Sequence, residues 1–167
     1  VEELDQGGLE QIVALLALTL PSSGVDTVVL CTRRGGRMAN RLVEAGVPVH
    51  VAGRRPDEGR KWIEATRPDV LSAHFVGLGF LEALGAPGVP IVDTVHNTYA
   101  WLTAEGWKDE AAKHELVSET VAVSRIAAEH YARRVSGSGS RFTVIPNGIE
   151  PSRVCALPRA YARQTLG

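Results

Sequence analysis

Hydrophobic and polar positions along this chain switch repeatedly between two periods. Short apolar, β-branched runs at 27–31, 47–52, 70–73, 91–95, 120–123 and 142–145 have the length and composition of buried strands. Between them, segments 8–20, 38–45, 58–66, 78–84, 109–117 and 124–135 read as helices. Gly and Pro mark the junctions, as in Pro21-Ser22-Ser23-Gly24, Gly46-Val47-Pro48, Arg67-Pro68-Asp69 and Ala86-Pro87-Gly88-Val89-Pro90. Strand and helix in turn predict an α/β fold, a Rossmann-like parallel sheet with helices on both faces.

The first helix is apolar nearly all round, with Leu9, Ile12, Val13, Leu15, Leu16, Leu18 and Leu20 on several faces. It is expected to be buried against the sheet and a neighbour. Gly7-Gly8 opens it, and only Val1 to Gln6 come before. Those residues are too few and too acidic for a central strand, so the first strand of the sheet is expected to be missing from this chain. The stretch Ser136-Gly137-Ser138-Gly139-Ser140 reads as an exposed turn before the last strand. A length of 167 residues suits one domain, residues 1–150, followed by a tail, 151–167.

Composition narrows the classes. A net charge of -1 carries no bulk electrostatic footprint for nucleic acid. The arginines do cluster, as Arg33, Arg34, Arg37 and Arg41 and as Arg54, Arg55 and Arg60. Such a cluster is ordinarily a solvated face, and its functional alternative is contact with phosphate or an anionic membrane surface. Cys31 and Cys155 have no metal-ligand spacing around them, which fits a reducing, cytoplasmic setting. The run 12–20 follows Glu2, Glu3 and Asp5 rather than a basic segment and is far short of a span of about 20 residues, so no export or anchoring signal is read.

In open α/β sheets, ligands sit beyond the carboxyl ends of the strands. His74, His96, Ser124 and Asn147-Gly148 each follow a strand there. One histidine at a strand end is ordinarily structural; two on successive strands point to a site, since imidazole can donate to a hydroxyl or a phosphate oxygen and share a proton near neutrality. No Cys, Asp or Glu stands near them at ligand spacing, so no metal is expected. Ser124 reads as the N-cap of the helix that follows, and that helix start, with Arg125, would also seat an anion. Gly7-Gly8 makes a similar seat, provided that the Glu10 carboxylate points away. Asn97, Tyr99 and Trp101 gather polar and aromatic groups just past His96, suited to stacking on a sugar or to packing as a lid, the latter favoured for Trp107. No Ser-His-Asp order, Walker loop or Asp-x-Asp pair supports a hydrolase or a kinase.

In order, Leu4-Asp5-Gln6-Gly7-Gly8-Leu9-Glu10, Arg67-Pro68-Asp69-Val70-Leu71-Ser72-Ala73-His74, Thr94-Val95-His96-Asn97, Val121-Ala122-Val123-Ser124 and Val144-Ile145-Pro146-Asn147-Gly148-Ile149 resemble the amino-terminal half of a family 4 glycosyltransferase with the two-domain GT-B fold. The resemblance implies a retaining, metal-independent enzyme of the hexosyltransferase type. Such an enzyme moves a sugar from a nucleotide-sugar donor to a carbohydrate or lipid-linked acceptor. It implies that His96 contacts the donor sugar and is catalytic, that Gly7, Gly8, Ser124 and Arg125 face the donor, and that His74, Asn97, Tyr99 and Trp101 line the acceptor side. Residues 159–167 resemble the helix leading into the second, donor-binding domain, so this half is expected to be inactive alone. A cytoplasmic place, with peripheral contact at the inner face of the membrane, is the matching expectation. The alternatives are a non-catalytic carbohydrate- or partner-binding module and an unrelated Rossmann-like nucleotide binder. The latter needs an acidic residue at the end of the second strand, and Asp26 lies before that strand instead.

Overall fold

A computed structural model describes residues 1–85, 88–135, 142–150 and 158–166. Strands and helices alternate as α1 (Gly8–Thr19), β1 (Val29–Cys31), α2 (Arg37–Glu44), β2 (Val49–Val51), α3 (Pro56–Thr66), β3 (Leu71–His74), α4 (Leu78–Gly85), β4 (Ile91–Val95), α5 (Ala104–Leu116), β5 (Glu119–Ala122), α6 (Arg125–Val135), β6 (Phe142–Val144) and α7 (Arg159–Leu166). The predicted strands are all present, each within two residues of its expected ends. Two helices begin two or more residues earlier than their apolar pattern shows. Pro56 sits in the first turn of α3, where its missing N–H costs nothing. The α5 helix starts after Thr103, whose hydroxyl accepts from the Gly106 amide at 3.2 Å. The predicted turn at 136–140 and the start of the tail at 151–157 lie outside the described residues.

All strand pairs are parallel, but they form two sheets rather than one: β1-β2, and β3-β4-β5-β6 in sequential order. In the larger sheet His74 stands opposite Thr94 and Val95 opposite Ala122, which aligns the carboxyl ends of β3, β4 and β5 on one edge. That alignment positions the candidate site.

Residues 1–4 run beside the end of β1 without forming a strand. The Thr32 amide donates to the Val1 carbonyl at 2.8 Å and the Arg33 amide to Glu2 at 3.0 Å, with one parallel bridge between Glu3 and Arg34. Leu4 is fully buried, and its carbonyl accepts from the second and third amides of α2, Met38 and Ala39. Between β1 and β3 lies a cavity of about 230 Å³ lined by Val1, Leu16, Val29, Trp62 and Leu71 among others. The α1 helix is accordingly less buried than expected. Val13, Ala14 and Ala17 are buried, but Leu16, which lines the cavity, is 38% exposed and Leu18 is 40% exposed.

Three apolar clusters fill the molecule. One joins α1, β1 and α2 through Leu4, Val13, Cys31 and Leu42; a second lies under β3 and α4 around Ala73, Leu81 and Ile91; the third joins β4, β5 and α6 through Val95, Ala122, Ala127 and Tyr131. Beside the third cluster the interior is charged. Lys113 of α5 holds Glu110 at 3.0 and 3.1 Å and lies 3.8 Å from Asp93 of β4, while the Tyr131 hydroxyl donates to Glu110 at 2.9 Å. Burial, offset in part by Lys113, pushes the Asp93 carboxyl up to about 6. The network ties α5 and α6 to the strand that carries His96. Among the described residues no helix is long and apolar enough to cross a membrane.

Candidate functional site

The end of β4 turns sharply. The Asn97 carboxamide oxygen accepts from the Tyr99 amide at 2.6 Å, an Asx-type closure, and Tyr99 takes a left-handed backbone with φ of 48°. A non-glycine residue holds that conformation only where its surroundings insist on it. Here the Tyr99 ring is buried against Phe75, Tyr131 and Trp101, and its hydroxyl accepts a long bond, 3.4 Å, from the His96 amide. The loop thus hooks back beneath His96 and fixes its backbone.

The two histidines expected at the strand ends meet. The His74 Nδ1 lies 2.8 Å from the His96 Nε2, and the His74 Nε2 lies 3.0 Å from the Ser72 hydroxyl. Both rings are held neutral. Burial, with the neighbouring His96 ring adding to it, pushes His74 down to about 3, and burial pushes the half-buried His96 down to about 4. Hydrogen bonding occupies both nitrogens of His74 and only one of His96. Among the described residues the His96 ring is hydrogen-bonded through Nε2 alone, so His96 is the member of the pair that can bind something else.

Ser124 is beside this pair. The Val123 amide donates to the Val95 carbonyl at 3.1 Å, which puts the residues after β4 and β5 side by side. The Ser124 hydroxyl accepts from the Ala127 amide at 3.1 Å, so it caps α6 as expected, and Arg125 is exposed. Of the aromatic group, Trp101 is 63% exposed and Tyr99 is buried. Trp107 packs on Tyr131 with the Arg134 guanidinium 5.0 Å over its ring, in keeping with a packing role.

Gly7 and Gly8 start α1 but share no hydrogen bond with the histidine pair. The Glu10 carboxylate, expected to point away, lies over Gly7 instead; a Cβ on Gly7 would collide with it. The physical reason is that the helix N-terminus attracts the nearest negative charge, and Glu10 in the first turn is that charge. The arginine cluster is also partly neutralised, since Arg33 and Arg34 each reach the Glu3 carboxylate at 2.6 Å, while Arg37 and Arg41 carry no such ion pair among the described residues. Among the described residues no group of His, Cys, Asp and Glu could hold a metal ion.

Sequence reasoning passed over Ser72 and the Lys113–Glu110–Asp93 network. Ser72 was legible from its place two residues before His74, on the same face of a strand. Asp93 in an otherwise apolar run was a signal of a buried charge, but its partner could not be read from spacing.

The model for Glycosyltransferase Family 4 matches residues 6–153. HepE from Anabaena, whose crystal structure was solved in complex with UDP and glucose, superposes with a TM-score of 0.68 at 18% sequence identity. That match covers 98% of this chain and 49% of HepE, so the chain spans about half the length of that protein. At this identity the likeness shows a shared fold, that of a GT-B glycosyltransferase half. No curated protein sequence matches the chain.

Proposed function

Since the chain belongs to glycosyltransferase family 4, we propose that it is the amino-terminal, acceptor-side half of a retaining enzyme that transfers a sugar from a nucleotide-sugar donor to a carbohydrate or lipid-linked acceptor. The observation that carries this reading is the pair of neutral histidines at the ends of β3 and β4, with one ring nitrogen of His96 left for a ligand. A neutral imidazole at that edge suits a hydroxyl-rich, uncharged ligand such as a sugar ring, and exposed Trp101 offers a face for stacking. The fold shared with HepE, a protein solved with UDP and glucose, favours a nucleotide sugar over other donors.

In this reading His96 contacts the donor sugar, and the capped start of α6, with Ser124 and Arg125, lies toward the diphosphate. Gly7 and Gly8 approach the donor through backbone amides once Glu10 swings aside. The acceptor lies along Asn97 and exposed Trp101 with His74 behind them; Tyr99, expected on the acceptor side, instead supports the loop from below, because its ring is buried in the core. Charge on the departing nucleotide diphosphate is the largest quantity to be stabilised, and most of that work falls to a second domain. The reaction needs no metal ion. The 167-residue chain alone is therefore inactive, and the enzyme works at the cytoplasmic side, with Arg37 and Arg41 available to an anionic surface.

The test is transfer by the product of the full reading frame, assayed against a panel of nucleotide sugars with an EDTA control. The expected result is EDTA-resistant transfer that falls about 10- to 100-fold in His96→Ala, the loss of one well-placed hydrogen bond in a dry site. Wild-type rates in His96→Ala, or turnover by the 167-residue chain alone, would refute the assignment.

A further inference from the structure

Three groups stand in one line at the edge of the larger sheet: the Ser72 hydroxyl, the His74 ring and the His96 ring, joined at 3.0 and 2.8 Å. Each link needs one hydrogen, and each neutral ring carries one. Two arrangements satisfy both links. If Ser72 donates, both rings carry their proton on Nδ1. If Ser72 accepts, both carry it on Nε2: the His96 Nε2–H donates to the His74 Nδ1, and the His74 Nε2–H donates to the Ser72 oxygen.

Two considerations separate these arrangements. The Nε2–H form is the intrinsically preferred tautomer of a neutral histidine side chain, and only the accepting direction gives it to both rings. Ser72 is also exposed, so when it accepts from His74 its own proton can go to water and no bond is lost. An imidazolium in the chain would have to be desolvated, which the burial of His74 opposes.

We infer that Ser72 and His74 are positioning residues that hold His96 in its Nε2–H form, leaving its Nδ1 as a lone pair, a hydrogen-bond acceptor for a substrate hydroxyl. This rests on the reading of His96 as the substrate-contacting residue and sharpens it. An acceptor nitrogen takes a hydrogen bond from a hydroxyl and repels a phosphate oxygen, so His96 belongs to the sugar rather than to the diphosphate. The role of His74 is then to orient His96.

Long-range proton–nitrogen correlation spectra of the ¹⁵N-labelled 167-residue chain at pH 7.5 read the tautomers directly, without substrate. The expected spectrum has both His74 and His96 protonated on Nε2. In His74→Asn the carboxamide oxygen replaces the lost acceptor, and His96 keeps its Nε2–H form; in His74→Leu it becomes a mixture. Protonation of His96 on Nδ1 in the wild type overturns the inference, as does an unchanged His96 tautomer in His74→Leu. In the full reading-frame product, His74→Leu is expected to lower kcat at least tenfold and His74→Asn to restore most of it; equal loss in the two also overturns it. The spectra separate this claim from the functional one. A wild-type rate in His96→Ala would refute the catalytic assignment while the tautomer result stood.

Discussion

Replacing His74 by Asn is expected to flatten the acid side of the stability curve. His74 is 5% exposed and held down to about 3 by burial and by the His96 ring, against an ordinary value of 6.5. A histidine with a lowered folded-state pKa resists protonation in the native state, while the unfolded chain takes up the proton as the pH falls through 6.5. The native state therefore keeps its full stability above about pH 7 and loses it on acidification, down toward pH 3. At pH 5, 1.5 units below the unfolded value, His74 accounts for a loss of about 2 kcal/mol relative to pH 7.5, at about 1.36 kcal/mol per unit. His96 adds a smaller term of the same sign, reduced by its partial exposure.

One other buried group acts in the same range. Burial raises Asp93 from 3.8 to about 6, which opposes the loss as the pH falls through 6. Asp93 remains in the variant, so the difference between the two proteins isolates His74. Urea denaturation at pH 7.5, 6.5, 5.5 and 5.0 measures it. The variant starts less stable, from its lost hydrogen bonds, yet its further loss between pH 7.5 and 5 is expected to be about 2 kcal/mol smaller than that of the wild type. Parallel curves, or a steeper fall in the variant, would refute the view of His74 as a neutral buried ring, as would a proton NMR titration placing it near 6.5.

Other outcomes follow from contacts in the same molecule. Lys113→Met leaves Glu110 and Asp93 buried without their cation, and a destabilisation of about 3–5 kcal/mol by urea titration is expected; one below about 1 kcal/mol would mean the network relaxes to solvent. Gly36→Ala brings a Cβ within 2.6 Å of the Asp5 backbone, so a lower melting temperature and greater proteolysis around residues 1–6 should appear, and an unchanged melting point would contradict the packing of this segment. Thr103→Ala should cost about 1 kcal/mol through the lost cap of α5, and Thr103→Ser should restore it.

The elements were legible because they follow from local pattern. Apolar runs of strand length and intervening helical segments depend on neighbours a few residues away, and the predicted strands fall within two residues of their places. Residues with no apolar signature escaped: the first turn of α5 is set by the Thr103 cap and carries Glu105 and Lys108 to solvent. The candidate site was half legible. The rule that ligands gather at the carboxyl ends of parallel strands picked out His74, His96 and Ser124, and the order of five short motifs named the family that the comparison then showed.

What the sequence by itself determined was the alternation of strand and helix, the chemistry present at each strand end and the family. The tertiary structure alone decided that two rings 22 residues apart lie 2.8 Å from each other, that Lys113 is shared between Glu110 and Asp93, that Glu10 covers Gly7, and that β1 and β3 stand apart around a cavity. The physical reason is the range of the forces involved. Periodicity and capping are settled within one or two turns of chain, whereas burial, tautomer and the pairing of charges depend on which distant groups exclude water from one another, and no local spacing records that.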